Sequence, residues 1–171
     1  QGVYTRLKVI GDKRGRGSTR ILSEHPEIFR SLIKMTGGLK LKVIHHVRNP
    51  YDNISTIARR GNISLSKATQ RYFELTSQAR SHLKRIDQIP HGTTLETHHE
   101  DLIANPQKSL SRILTFLNLS HHDSYLNTCA DVIYDSPHRS RDKADWTPEL
   151  KKKVEGRIQS YRFLEEYSWL N

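Results

Sequence analysis

One punctuation mark recurs along this chain: a residue able to cap a helix is followed at once by proline, at Asn49-Pro50, Asn105-Pro106 and Thr147-Pro148. Proline holds φ near the helical value and lacks the N–H that a first helical turn leaves unpaired, so each pair marks a helix start. Ahead of the first pair lies Leu41-Lys42-Val43-Ile44-His45-His46-Val47, a β-branched run that reads as a strand. Ahead of the second lies Thr93-Thr94-Leu95-Glu96-Thr97-His98-His99, which alternates in strand fashion. Strands that run straight into helices build βα units, because parallel strands need long crossovers between them. The expectation is an α/β domain with a central parallel sheet flanked by helices on both faces, and ligands bind such sheets at the carboxyl ends of the strands.

The remaining pattern fills in this frame. Leu7-Lys8-Val9-Ile10 predicts a short first strand, stopped by a basic, glycine-rich loop from Gly11 to Thr19. Residues 27–35 carry Ile28, Leu32, Ile33 and Met35 at roughly helical spacing, with Gly37-Gly38 as the stop. From Ser64 to Ile86 the apolar residues Leu65, Ala68, Tyr72, Leu75, Ala79, Leu83 and Ile86 predict a long helix that ends before Pro90. Leu110, Ile113, Leu114 and Leu117 follow Pro106, while Leu150, Val154, Ile158, Tyr161 and Leu164 follow Pro148. Trp146, Tyr161, Phe163, Tyr167 and Trp169 lie along and just after that last helix and read as core rather than as a stacking platform.

Composition narrows the class. The 171 residues suffice for one domain, spanning 1–171. The apolar share is 35%, or ~40% with the 9 glycines, below the usual ~45–50%. That lean core, and a first segment with neither initiator Met nor signal pattern, lead us to expect an N-terminally incomplete domain. Lys and Arg number 28 against 18 Asp and Glu, a net +10 that favours an anionic partner. A single cysteine, Cys129, excludes an internal disulfide framework and multi-thiolate metal sites. With a mean hydropathy of −0.71 no membrane span is expected, and a reducing, cytoplasmic location is. The 10 histidines include the doublets His45-His46, His98-His99 and His121-His122, but a doublet on a strand points its rings to opposite faces, so no metal is expected.

Two segments place cations at a strand end. The first is Lys13, Arg14 and Arg16 among glycines, a turn suited to phosphate or sulfate oxygens that does not match the Walker A pattern. The second is Arg48, which closes a strand, with Ser55 and Thr56 two turns up the next helix. At ~1.5 Å per residue these hydroxyls lie within reach of a guanidinium on a shared phosphate.

The segment from Lys42 to Thr56 resembles the strand and helix of sulfotransferases that use 3′-phosphoadenosine 5′-phosphosulfate (PAPS). The resemblance implies a three-layer, P-loop-like domain in which Arg48 and a hydroxyl eight residues later, Thr56, or the adjacent Ser55, hold the 3′-phosphate. His99-Glu100-Asp101-Leu102 resembles that family's Tyr-Glu-Asp element, which places His99 beside the adenine. Arg139-Ser140-Arg141, followed by Asp145-Trp146, has the spacing of its Arg-Lys-Gly loop, and makes Arg139 and Arg141 phosphate ligands, Arg139 the better of the two. Val9-Ile10-Gly11-Asp12-Lys13 resembles the segment that carries a catalytic Lys, here Lys13, with Asp12 at the acidic position that serves as base in some carbohydrate sulfotransferases. The family's phosphosulfate-binding loop has no counterpart in the chain. The implied activity is sulfuryl transfer from PAPS to a hydroxyl or amine acceptor, with adenosine 3′,5′-bisphosphate as product, and no nucleic-acid partner. The competing readings are a P-loop kinase relative using ATP and magnesium, and a basic nucleic-acid-binding module, for which the sequence carries charge but no motif.

Overall fold

Parallel pairing of two strands organises the chain. β1 (Lys42–Val47) and β2 (Thr93–His98) run side by side in register from Lys42↔Thr93 to Val47↔His98. The computed structural model describes residues 8–13, 15–36, 40–89 and 91–171. Before β1 come α1 (Gly15–Glu24) and α2 (Pro26–Thr36). The crossover from β1 to β2 is made of α3 (Pro50–Gly61) and α4 (Leu65–Ile86). After β2 come α5 (His99–Ala104), α6 (Pro106–Phe116), α7 (Asp123–Ala130) and α8 (Pro148–Ile158), with 3-10 turns at Ser140–Lys143 and Arg162–Leu164.

The caps explain why these helices start where they do. Asn49 Oδ1 accepts from Tyr51 N at 3.0 Å, with Pro50 in the first turn. Ser64 Oγ accepts from Lys67 N, and Thr147 Oγ1 from Leu150 N, each at 3.3 Å. Asn105 makes no such bond, and Pro106 alone sets the start of α6. Gly92 is fixed by space at the entry to β2, because a Cβ there would lie 2.3 Å from the Ile86 carbonyl oxygen.

The core gathers Val47 from β1, Tyr51 and Ile54 from α3, Ala68 and Phe73 from α4, and Val154 and Ile158 from α8. Tyr161, Leu164 and Tyr167 complete it, with Trp146, Phe163 and Trp169 packed against them, so the aromatic run after Pro148 is core. The helix itself stops at Ile158, and Tyr161 and Leu164 reach the same core through the 3-10 turn. One face of the sheet meets α6, where Lys42 Nζ donates to the Phe116 carbonyl. The other meets the aromatic tail, with His45 edge-on to Phe163 at 4.7 Å and His98 beside Tyr167 at 5.8 Å.

Several expectations need correction. Residues 8–10 form no strand: Val9 is 40% and Ile10 83% exposed, and the basic loop gives way to α1 from Gly15. A β-prone run becomes a strand only where a neighbour completes its hydrogen bonds, and none does here. Among the described residues the sheet has two strands, so the architecture is α/β with a parallel pair flanked by helices. The sequence pattern did not mark α5 or α7. Leu7, Arg14, Gly37-Gly38 and Pro90 lie outside the described residues. No helix among the described residues is long and apolar enough to cross a membrane.

A buried ion pair joins α3 to the 3-10 turn at Ser140–Lys143. Asp52 Oδ1 accepts from Arg141 N at 2.9 Å, and its Oδ2 stands 3.5 Å from Arg141 Nη1, with both side chains almost fully enclosed. Burial pulls the Arg141 pKa below its ordinary value, and the Asp52 charge opposes that pull. Asp52→Asn keeps an acceptor for the backbone but strands the guanidinium, and is expected to cost about 3–5 kcal/mol in urea unfolding. A loss below about 1 kcal/mol would show the pair to be incidental.

Candidate functional site

The cap that starts α3 also fixes Arg48. Asn49 is buried, donates through Nδ2 to the Ser168 carbonyl at 3.0 Å, and gives its own N–H to Glu100 Oε1 at 3.1 Å. Arg48 therefore leaves the end of β1 at one defined point. Its Nη2 donates to the His138 carbonyl, while its Nε is buried with no partner among the described residues. A buried donor without an acceptor is costly, and an anion is the acceptor a guanidinium best accommodates.

Two turns along α3 the adjacent hydroxyls separate. Ser55 is buried: its Oγ donates to the Tyr51 carbonyl at 2.8 Å and accepts from Trp146 Nε1 at 2.9 Å. Both capacities are used inside the core. Thr56 is only partly buried, and its Oγ1 reaches Ser140 Oγ at 3.3 Å across the gap to the 3-10 turn. A second hydroxyl at that distance is easily exchanged for a ligand oxygen.

Between α3 and the segment 138–145 lies an open cleft of about 890 Å³. Arg48, Ser55, Thr56 and Arg139 all line it. Arg59, Arg60 and Lys143 join them, with Asp145 as the one carboxylate of the lining, which leaves a strongly positive concavity. Arg139 is held in place by Asp142 Oδ2 and by the Leu170 carbonyl, each accepting at 3.0 Å. The hydrogen bonds from Arg48 and Thr56, together with the Asp52 pair, set the cleft's width.

His99, the first residue of α5, stands beside this cation set rather than in the lining. Its ring meets that of His46 edge-on at 5.7 Å. Burial, and next the Arg48 charge, hold its pKa below the ordinary histidine value, so the imidazole is neutral at neutral pH. Its neighbour Glu100 ties the strand ends together, since Oε2 accepts from the Tyr167 hydroxyl at 2.7 Å while Oε1 takes the Asn49 N–H. The His45-His46 doublet splits across the sheet: His45 turns to Phe163 and His46 to Thr97 Oγ1, 3.0 Å away.

The other sequence candidates lie elsewhere. Arg141 sits in the core against Asp52 and does not line the cleft, which separates it from Arg139. Lys13 and Asp12 are exposed and line no part of the cleft, and Asp12 Oδ2 accepts from Ser18 Oγ at 2.6 Å. Sequence reasoning passed over Arg59 and Arg60, although they follow Thr56 by three and four residues and so share its helix face. It also passed over His138, whose contribution to Arg48 is a backbone carbonyl that no side-chain pattern encodes.

Compared with known proteins, residues 40–123 match the model of the sulfotransferase family, a span just under half the chain. The match takes in β1, α3, α4, β2, α5 and α6, and with them Arg48, Ser55, Thr56 and His99. No curated protein and no solved structure shows significant similarity to the chain.

The different surroundings of the two hydroxyls can be tested directly. Ser55→Ala leaves the Trp146 N–H unsatisfied and is expected to cost about 1–3 kcal/mol of stability with anion affinity unchanged. Thr56→Val should leave the melting temperature near that of the parent and weaken adenosine 3′,5′-bisphosphate about tenfold by calorimetry. The reverse pattern would place Ser55 at the ligand.

Proposed function

Proceeding from the sulfotransferase-family match over residues 40–123, we propose that this chain grips the 3′-phosphate of PAPS and belongs to an enzyme that transfers the sulfuryl group to a hydroxyl or amine acceptor. One observation carries the reading: Arg48, Thr56 and Arg139, drawn from two distant segments, line one cleft, and the buried Arg48 Nε has no acceptor among the described residues. That donor set fits a phosphate, which takes a guanidinium fork and a hydroxyl together.

The cleft residues account for binding and orientation. Arg48 and Arg139 supply fixed positive charge, and each is pre-positioned by a carbonyl acceptor, so little reorganisation accompanies binding. Thr56 supplies the hydroxyl. When bound, PAPS supplies the activated sulfuryl group, and holding its distal phosphate rigidly is what aligns that group with an acceptor. His99, neutral and next to Arg48, is proposed to stand near the base. The exposed placement of Lys13 and Asp12 lends no support to a catalytic role for either, and the buried placement of Arg141 favours a structural one.

Calorimetry separates this reading from its competitors. Adenosine 3′,5′-bisphosphate is expected to bind at least tenfold more tightly than ATP, without magnesium, and Arg48→Gln to abolish the difference. Equal affinity for ATP, or a magnesium requirement, would point to kinase-like chemistry. Salt-sensitive binding to random oligonucleotides that the bisphosphate does not displace would point to a nucleic-acid module.

A further inference from the structure

The cation set explains how a phosphate is held but not what else the cleft receives. At 890 Å³ the cavity is far larger than one phosphate requires, and most small-molecule sites add an apolar or aromatic surface to their polar anchors. Among the cleft residues the aromatic ring is that of His138. The Tyr134 ring packs against it with centroids 4.8 Å apart and planes inclined at 56°, yet Tyr134 remains 65% exposed. Tyr134 is thus a large aromatic side chain packed on a residue of the cleft lining, with most of its surface open to a stacking partner.

We propose that Tyr134 and His138 form the platform on which the nucleotide's purine base stacks. His138 has two roles at once. Its carbonyl accepts from Arg48 Nη2, and the residue lines the cleft while its ring packs against Tyr134. The group that orients the phosphate-binding guanidinium is thus separated by only a few covalent bonds from the ring that would meet the base. One residue thereby carries both the carbonyl that orients Arg48 and the ring that supports Tyr134.

This inference rests on the nucleotide reading above and adds a base-recognition residue that the family resemblance did not mark. It is tested by measuring adenosine 3′,5′-bisphosphate and the base-free ribose 3,5-bisphosphate in parallel on the full chain. Tyr134→Ala is expected to weaken the nucleotide about tenfold, within the range found for base–aromatic stacking, and to leave the base-free ligand unchanged. Tyr134→Phe should match the parent for both ligands, since the ring and not the hydroxyl makes the contact. Unchanged nucleotide affinity in Tyr134→Ala, or an equal loss for both ligands, would overturn the platform while leaving the phosphate grip intact. Failure of the parent chain to bind either ligand would instead overturn the nucleotide reading itself, and the platform with it.

Discussion

The contact between Asp52 and Arg141 is the constraint on which the rest of the site depends. It joins the first turn of α3 to a segment nearly ninety residues further along the chain, inside the core, where neither charge can be left alone. A buried pair of this kind contributes little net stability, because desolvation offsets most of the attraction. It contributes register instead. With Arg141 fixed, Ser140 must face Thr56, the His138 carbonyl must face Arg48, and Trp146 must reach Ser55. The cleft is the gap that those fixed points leave open.

A second junction holds the strand ends. Glu100 receives the Asn49 N–H and the Tyr167 hydroxyl, whose pKa is driven far above the usual range by burial and by the Glu100 charge. His98 Nδ1 lies 3.0 Å from the same hydroxyl. The aromatic tail is thus tied by hydrogen bonds as well as by packing to the C-terminal ends of β1 and β2, from which Arg48 emerges. Two clamps, one on each side of Arg48, make its position a property of the whole fold rather than of one loop.

Much of this was legible in the sequence, and the legible part is local. Asn49-Pro50 and Thr147-Pro148 announced helices because capping and proline geometry act within four residues. Arg48 could be grouped with Ser55 and Thr56 because helical rise fixes their separation, whereas the preference for Thr56 came from the family resemblance. Arg139 and Arg141 illustrate the limit: two residues apart in sequence, one lines the cleft and the other is sealed against Asp52, and only the distant partner decides which. Ser55 and Thr56 differ in the same way, since Trp146 determines which hydroxyl is consumed. Val9-Ile10 shows the opposite failure, a propensity for strand that found no ladder to join. His138 acts through its backbone, which a sequence does not display.

Arg48, Thr56 and Arg139 are proposed to form a single anion site between α3 and the segment 138–145. A crystal structure of the chain with adenosine 3′,5′-bisphosphate tests it most directly. The 3′-phosphate is expected in the cleft, with Arg48 Nε, Thr56 Oγ1 and the Arg139 guanidinium all within hydrogen-bond distance of its oxygens. Density for the nucleotide elsewhere on the surface, with Arg48 still turned only to the His138 carbonyl, would contradict it.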